Sequence, residues 1–138
     1  MERVLLVACR TAAGNALLEA VRRRATASPC EFTLLVPRPC HGLHRVVDPE
    51  DQGRSEAEET LELALPLLEE ASNSIVDGIV GDPEPLAAIQ DAVNLRGFDE
   101  IIVSTLPKRF SRWLKLDLPH KAAGLGLPVT TVTARGSG

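Results

Sequence analysis

The sequence predicts a doubly wound α/β domain: a mostly parallel five-stranded sheet in the order 3-2-1-4-5, with helices on both faces. Three observations predict it. Five short apolar or β-branched runs alternate with segments of helical periodicity, and strands separated by helices pair in parallel through right-handed crossovers. Two of the runs, residues 4–8 and 101–103, are uninterrupted, as strands buried on both faces are, which sets the first and fourth strands in the middle. No internal repeat or low-complexity tract divides the chain, so residues 1–138 read as one domain, large enough to bury roughly 68–70% of the surface exposed when unfolded.

Each element has its own signature. The run at 4–8 is the first strand. Over 12–26, Leu17, Ala20, Val21 and Ala25 recur at helical spacing while Arg22, Arg23 and Arg24 take other positions, with Thr11 placed to cap the helix. Residues 32–36 form the second strand, stopped by Pro37 and Pro39. Residues 40–53 are polar and aperiodic and read as a long loop. Over 55–71 the positions Ala57, Leu61, Ala64, Leu65, Leu68 and Ala71 form an apolar stripe opposite a strongly acidic face, and Pro66 inside it predicts a kink. The third strand, 75–80, contains Asp77 and Gly78 and suits an edge. In GDPEPLAAIQDAVNLRG, Asp82 suits the cap, Pro83 the first helical position, Leu86, Ile89 and Val93 the buried stripe, and Gly97 the stop. Residues 100–105 and the threonine-rich Val129–Thr133 complete the five strands.

Composition narrows the function. The net charge is −4 and the isoelectric point about 5.4, which argues against general nucleic-acid binding, since a phosphate-tracking surface makes a domain basic. No apolar run approaches the ~18 residues of a membrane span, and no signal sequence opens the chain. Cys9, Cys30 and Cys40 are an odd number in a chain that needs no staples, so free thiols and the cytoplasm are expected.

In doubly wound sheets ligands bind outside the carboxyl ends of the strands where the winding reverses. That point collects Cys9, Arg10 and Thr11 after the first strand and Ser104 and Thr105 at the end of the fourth, with Val36 and Gly81 ending the neighbouring strands. Beyond lies STLPKRFSRWLKLDLPHK, in which Lys108, Arg109, Arg112 and Lys115 share one side of any helix. These cations are either an anion site or a solvated helix face whose Phe110, Trp113, Leu114 and Leu116 turn inward or toward a partner. Trp113 suits packing better than base stacking. Cys40, His41 and His44 match no standard zinc spacing, so no metal is assigned. Cys9 beside Arg10 could be an activated thiol, although a buried inert cysteine is commoner. The sequence holds no GxSxG elbow, Walker loop or HExxH, and no catalytic residue is assigned.

The order of elements, the VGDPEPLAAIQDA turn and helix, and DEIIVST followed by a loop and GLPVTTVTA resemble the universal stress protein family over residues 3–134. The resemblance implies a flavodoxin-like sandwich of the adenine nucleotide alpha hydrolase type, a role in stress response, a homodimer formed through the last strand, and in many members ATP or a related nucleotide at the switch point. The family's motif after the fourth strand runs glycine, two residues, glycine, nine residues, glycine, then serine or threonine. Here that register falls on Ser104, Pro107, Asp117 and Leu118. Those glycines let backbone amides approach phosphate. Their loss, and the Pro107 that offers no amide, argue against ATP or AMP held in the family's usual way. Two functions are therefore expected: a non-enzymatic small-molecule or nucleotide-sensing domain with a degenerate motif, or a dimeric interaction module with a vestigial crevice. A small hydrolase or phosphotransferase ranks below both.

Overall fold

A computed structural model describes residues 2–37 and 49–134, with the backbone alone over 49–56. In chain order the elements are β1 (Glu2–Val7), α1 (Asn15–Ala27), β2 (Cys30–Pro37), α2 (Pro49–Ser72), β3 (Val76–Gly81), α3 (Pro85–Arg96), β4 (Glu100–Thr105), the short α4 (Arg112–Lys115) and α5 (Leu118–Ala123), and β5 (Val129–Thr133). The sheet is parallel throughout, in the order β3-β2-β1-β4-β5. The expected topology holds.

The uninterrupted apolar runs separate into two layers because successive side chains of a strand point to opposite faces. Val4, Leu6 and Ala8 of the first run join Phe32, Leu34, Val36 and Ile102 beneath α1 and α2. Leu5 and Val7 join Leu35, Ile101 and Val103 beneath α3 and α5. Register fixes the layers: Leu5 sits opposite Ile101 and Val7 opposite Val103. Gly78 has a packing reason. A Cβ there would stand 2.9 Å from Leu61 Cδ2 and 3.0 Å from Leu65 Cδ1, so its absence brings α2 down onto the edge strand.

Helix boundaries differ from the sequence reading in four places. Helix α1 begins after Gly14 rather than at Thr11, because the Thr11 hydroxyl is engaged 2.6 Å from Ser104 Oγ, and residues 9–14 make two tight turns first. Helix α2 starts at Pro49 and takes in residues 49–53 of the expected loop, while 40–48 lie outside the described residues. Helix α3 starts two residues late. Asp82 Oδ1 accepts the amide of Glu84, and Glu84 becomes the cap, its carboxylate accepting the amides of Leu86 and Ala87 with Pro85 at the first turn. Finally, the cationic run does not form one helix. Lys108 and Arg109 lie in a turn ahead of the four-residue α4. Among the described residues, no helix is long and apolar enough to cross a membrane.

Candidate functional site

The winding reverses between β1 and β4, and there the carboxyl ends of the strands open into a crevice of about 570 Å³. Its base is hydroxylic. Thr11 and Ser104, both buried, hydrogen-bond at 2.6 Å and tie the turn after β1 to the end of β4. Thr105 and Ser111, also buried, hydrogen-bond at 2.7 Å. Ser111 Oγ in turn accepts the amide of Leu114 and caps α4. The Thr105–Ser111 pair holds the loop 106–111 against the sheet.

The walls are apolar. Leu106, Phe110, Trp113 and Leu116 line one side, and Pro37, Pro83 and Pro85 line the rim contributed by β2 and the turn before α3. Charge enters from Arg10 and Arg112, both exposed at the mouth, and from Glu84. No described residue pairs with either guanidinium. Glu84 has a fixed task, since its two carboxylate oxygens already satisfy the first amides of α3 at 3.3 and 2.8 Å.

Six of the residues singled out in the sequence therefore meet in one crevice: Cys9, Arg10, Thr11, Ser104, Thr105 and Arg112. Four do not line it. Val36 is wholly buried beneath α1 and α2. Gly81 serves packing, as a Cβ there would come 2.7 Å from Leu35 Cδ1 and 2.9 Å from Ala88 Cβ. Lys108 and Arg109 are exposed, and Arg109 lies over the Phe110 ring at 4.8 Å. Cys9 is disulfide-bonded, which corrects the expectation of free thiols and removes the activated thiol; among the described residues the free cysteine is Cys30, buried at the start of β2. Cys40, His41 and His44 lie outside the described residues, and among those described no cluster of three or more metal-ligating side chains occurs.

Sequence reasoning passed over Glu84, Phe110, Trp113 and Leu116 as crevice residues. The aromatic pair was read as facing the core or a partner. Trp113 does pack against the α3 and α5 layer, yet it also faces the opening, while Phe110 remains 62% exposed. Glu84 was legible only as one acid among many. Its position between Pro83 and Pro85 was the available signal, because two prolines leave the cap ambiguous by two residues.

Fold and crevice together define a doubly wound α/β protein with a ligand-sized cleft at its switch point. No family model matches the sequence, and no curated protein matches it. Solved structures do match in fold. A universal stress protein from Archaeoglobus fulgidus is 16% identical, with a TM-score of 0.68 over 96% of this chain and 93% of that one. The universal stress protein from the same organism in complex with dAMP gives 0.65 at 16% identity, over 96% and 97%. A universal stress protein family member from Arabidopsis thaliana with AMP bound gives 0.66 at 13% identity, over 99% and 94%. The chain has the universal stress protein fold.

Proposed function

We propose that the chain is a universal stress protein-like domain spanning residues 1–138 that binds a small anionic molecule in the switch-point crevice and carries out no reaction on it. One observation carries this reading: two guanidinium groups, Arg10 and Arg112, stand beside an aromatic and apolar wall in a cavity of about 570 Å³. That volume lies within the roughly 300–1,000 Å³ of small-molecule sites. The dAMP and AMP bound to the two structural neighbours make adenine nucleotides the first ligands to try. In this reading the protein is a cytoplasmic, homodimeric sensor of the stress response, and the dimer forms through Val129–Thr133.

Calorimetric titration of AMP, ADP and ATP into protein first freed of copurifying nucleotide tests the reading. Saturable binding of any of them in the micromolar to low millimolar range is expected, and Arg112→Glu should abolish it while leaving the subunit assembly intact. Silence toward every nucleotide at millimolar concentration would sink the nucleotide version. A second reading, an interaction module with a vestigial crevice, is favoured by one specific observation: the α3 amides that an anion would need are already held by Glu84. Under that reading Arg112→Glu disturbs assembly instead.

A further inference from the structure

The charges and donors around the crevice limit what kind of anion it can hold. A polyphosphate needs many hydrogen-bond donors and tolerates no nearby carboxylate without a metal. On the α3 side of the crevice backbone donors are scarce. Pro37, Pro83 and Pro85 line the rim and have no amide to give, and the amides of Leu86 and Ala87 are taken by Glu84 at 3.3 and 2.8 Å. The hydroxyls at the base are paired, Thr11 with Ser104 and Thr105 with Ser111, so each pair has at most one hydroxyl hydrogen left to donate. The ionised side chains that line the crevice are Arg10 and Arg112, whose two positive charges are offset by the one negative charge of Glu84. The lining residues thus balance to a single positive charge, beside Trp113 and the face of Phe110 that Arg109 leaves uncovered, and these rings suit a flat apolar group.

Resting on the binding function proposed above, we propose that the crevice takes a planar aromatic compound carrying one small anionic group, a carboxylate or a single phosphate, and turns away di- and triphosphates. Arg10 and Arg112 meet the anion, Trp113 and Phe110 meet the ring, and Glu84 sets the limit on negative charge. Glu84 is thus a specificity-determining residue that acts through repulsion as well as through the donors it withholds. Discrimination of this kind works by leaving the wrong ligand with an unfavourable charge contact.

The test is calorimetry without divalent metal on the full chain, using three compounds: AMP, ATP, and 2-naphthoate, which has a ring and a carboxylate but no phosphate. AMP or naphthoate should bind at least about tenfold more tightly than ATP, the size of effect expected from one like charge a few ångströms away at a partly solvated site. Binding of AMP alone identifies the nucleoside monophosphate as the source of this chemistry, binding of naphthoate the plain aromatic carboxylate, and either supports the proposal. Glu84→Ser keeps a capping hydroxyl on α3 and removes the carboxylate, so it should narrow the gap to ATP by about tenfold, with the melting temperature recorded to verify folding. Should Glu84→Ser fail to fold, Glu84→Gln, which removes the charge and keeps one accepting oxygen for the α3 amides, serves the same purpose. ATP binding as tightly as AMP and naphthoate in the unaltered protein, or a gap unmoved in a folded Glu84 variant, overturns the proposal while leaving the binding function standing. Absence of binding by all three compounds overturns both.

Discussion

At the scale of single residues, the loop after β4 holds a non-glycine residue in a conformation that favours glycine. Asp117, where the family's third glycine would fall, has φ of 60° and ψ of 37° at the start of α5. This is the left-handed region, which costs a residue with a Cβ roughly 1–2 kcal/mol, less for aspartate than for most. The nearest ion-pair candidate, His120 Nδ1 at 3.5 Å from Asp117 Oδ2, is exposed on both sides and is worth little in water. Asp117→Gly is therefore expected to stabilise the protein by about 0.5–1 kcal/mol, the relief of strain being partly offset by the greater freedom of glycine in the unfolded chain. Asp117→Ala keeps the strain and loses the aspartate's tolerance for it, so it should be less stable than the parent. Urea midpoints of the three proteins check this, and an Asp117→Gly midpoint below that of Asp117→Ala would contradict it.

At the scale of elements, α1 is anchored at the end of the sheet away from the crevice. Arg24 in its last turn donates from Nε to Glu100 Oε1 at 2.8 Å, from Nη2 to Glu2 Oε1 at 2.6 Å and from Nη1 to Ser28 Oγ at 2.7 Å, joining the helix to the first residues of β1 and β4. Arg24 and Glu100 are both mostly shielded, at 16% and 19% side-chain exposure, so Arg24→Met should leave Glu100 without its partner and cost about 1–3 kcal/mol. The Arg24 guanidinium, with help from Ser28, holds the Glu2 carboxyl below its ordinary value of 4.5. A carboxylate with a lowered folded-state pKa adds stability above its unfolded value and loses it as pH falls through the folded one. The stability gap between parent and Arg24→Met should therefore be full at pH 7 and narrow on acidification below pH 4.5; a gap that widens there would refute the assignment. The sequence showed Arg22, Arg23 and Arg24 only as three cations off the apolar stripe, since the partners of Arg24 lie 22 and 76 positions away. The strands were legible because continuous apolar runs have few other uses in a chain of this composition. The start of α3 and the shape of the cationic run were not. Each depends on which of several competing polar groups takes a particular amide, and the winners, Glu84 and Ser111, are chosen by tertiary placement.

At the scale of the whole molecule, the sheet ends on one side at β5, which pairs only with β4. The ladder determines which backbone groups are left over. Ile101 donates its amide to Pro128 and Ala134 donates to Thr105. In a parallel pair the bonding groups recur at every second residue, so the amides and carbonyls of the even-numbered residues face β4, and those of Val129, Thr131 and Thr133 face outward. Five residues with exposed Thr130, Thr131 and Thr133 side chains make an edge with no charge or proline to discourage a second strand. If a second copy pairs here, a two-fold axis brings like residues of the two β5 strands together in antiparallel alignment. Thr131→Pro tests this selectively. Its outward amide takes no part in the ladder to β4, and proline is tolerated on an edge where the amide is not used, so the domain should keep its fold and melting transition while losing the bonds to the partner strand. Sedimentation at micromolar concentration should show a dimer for the parent and a monomer for Thr131→Pro. A monomeric parent, or a variant that remains dimeric with an unchanged melting transition, would remove β5 as the interface.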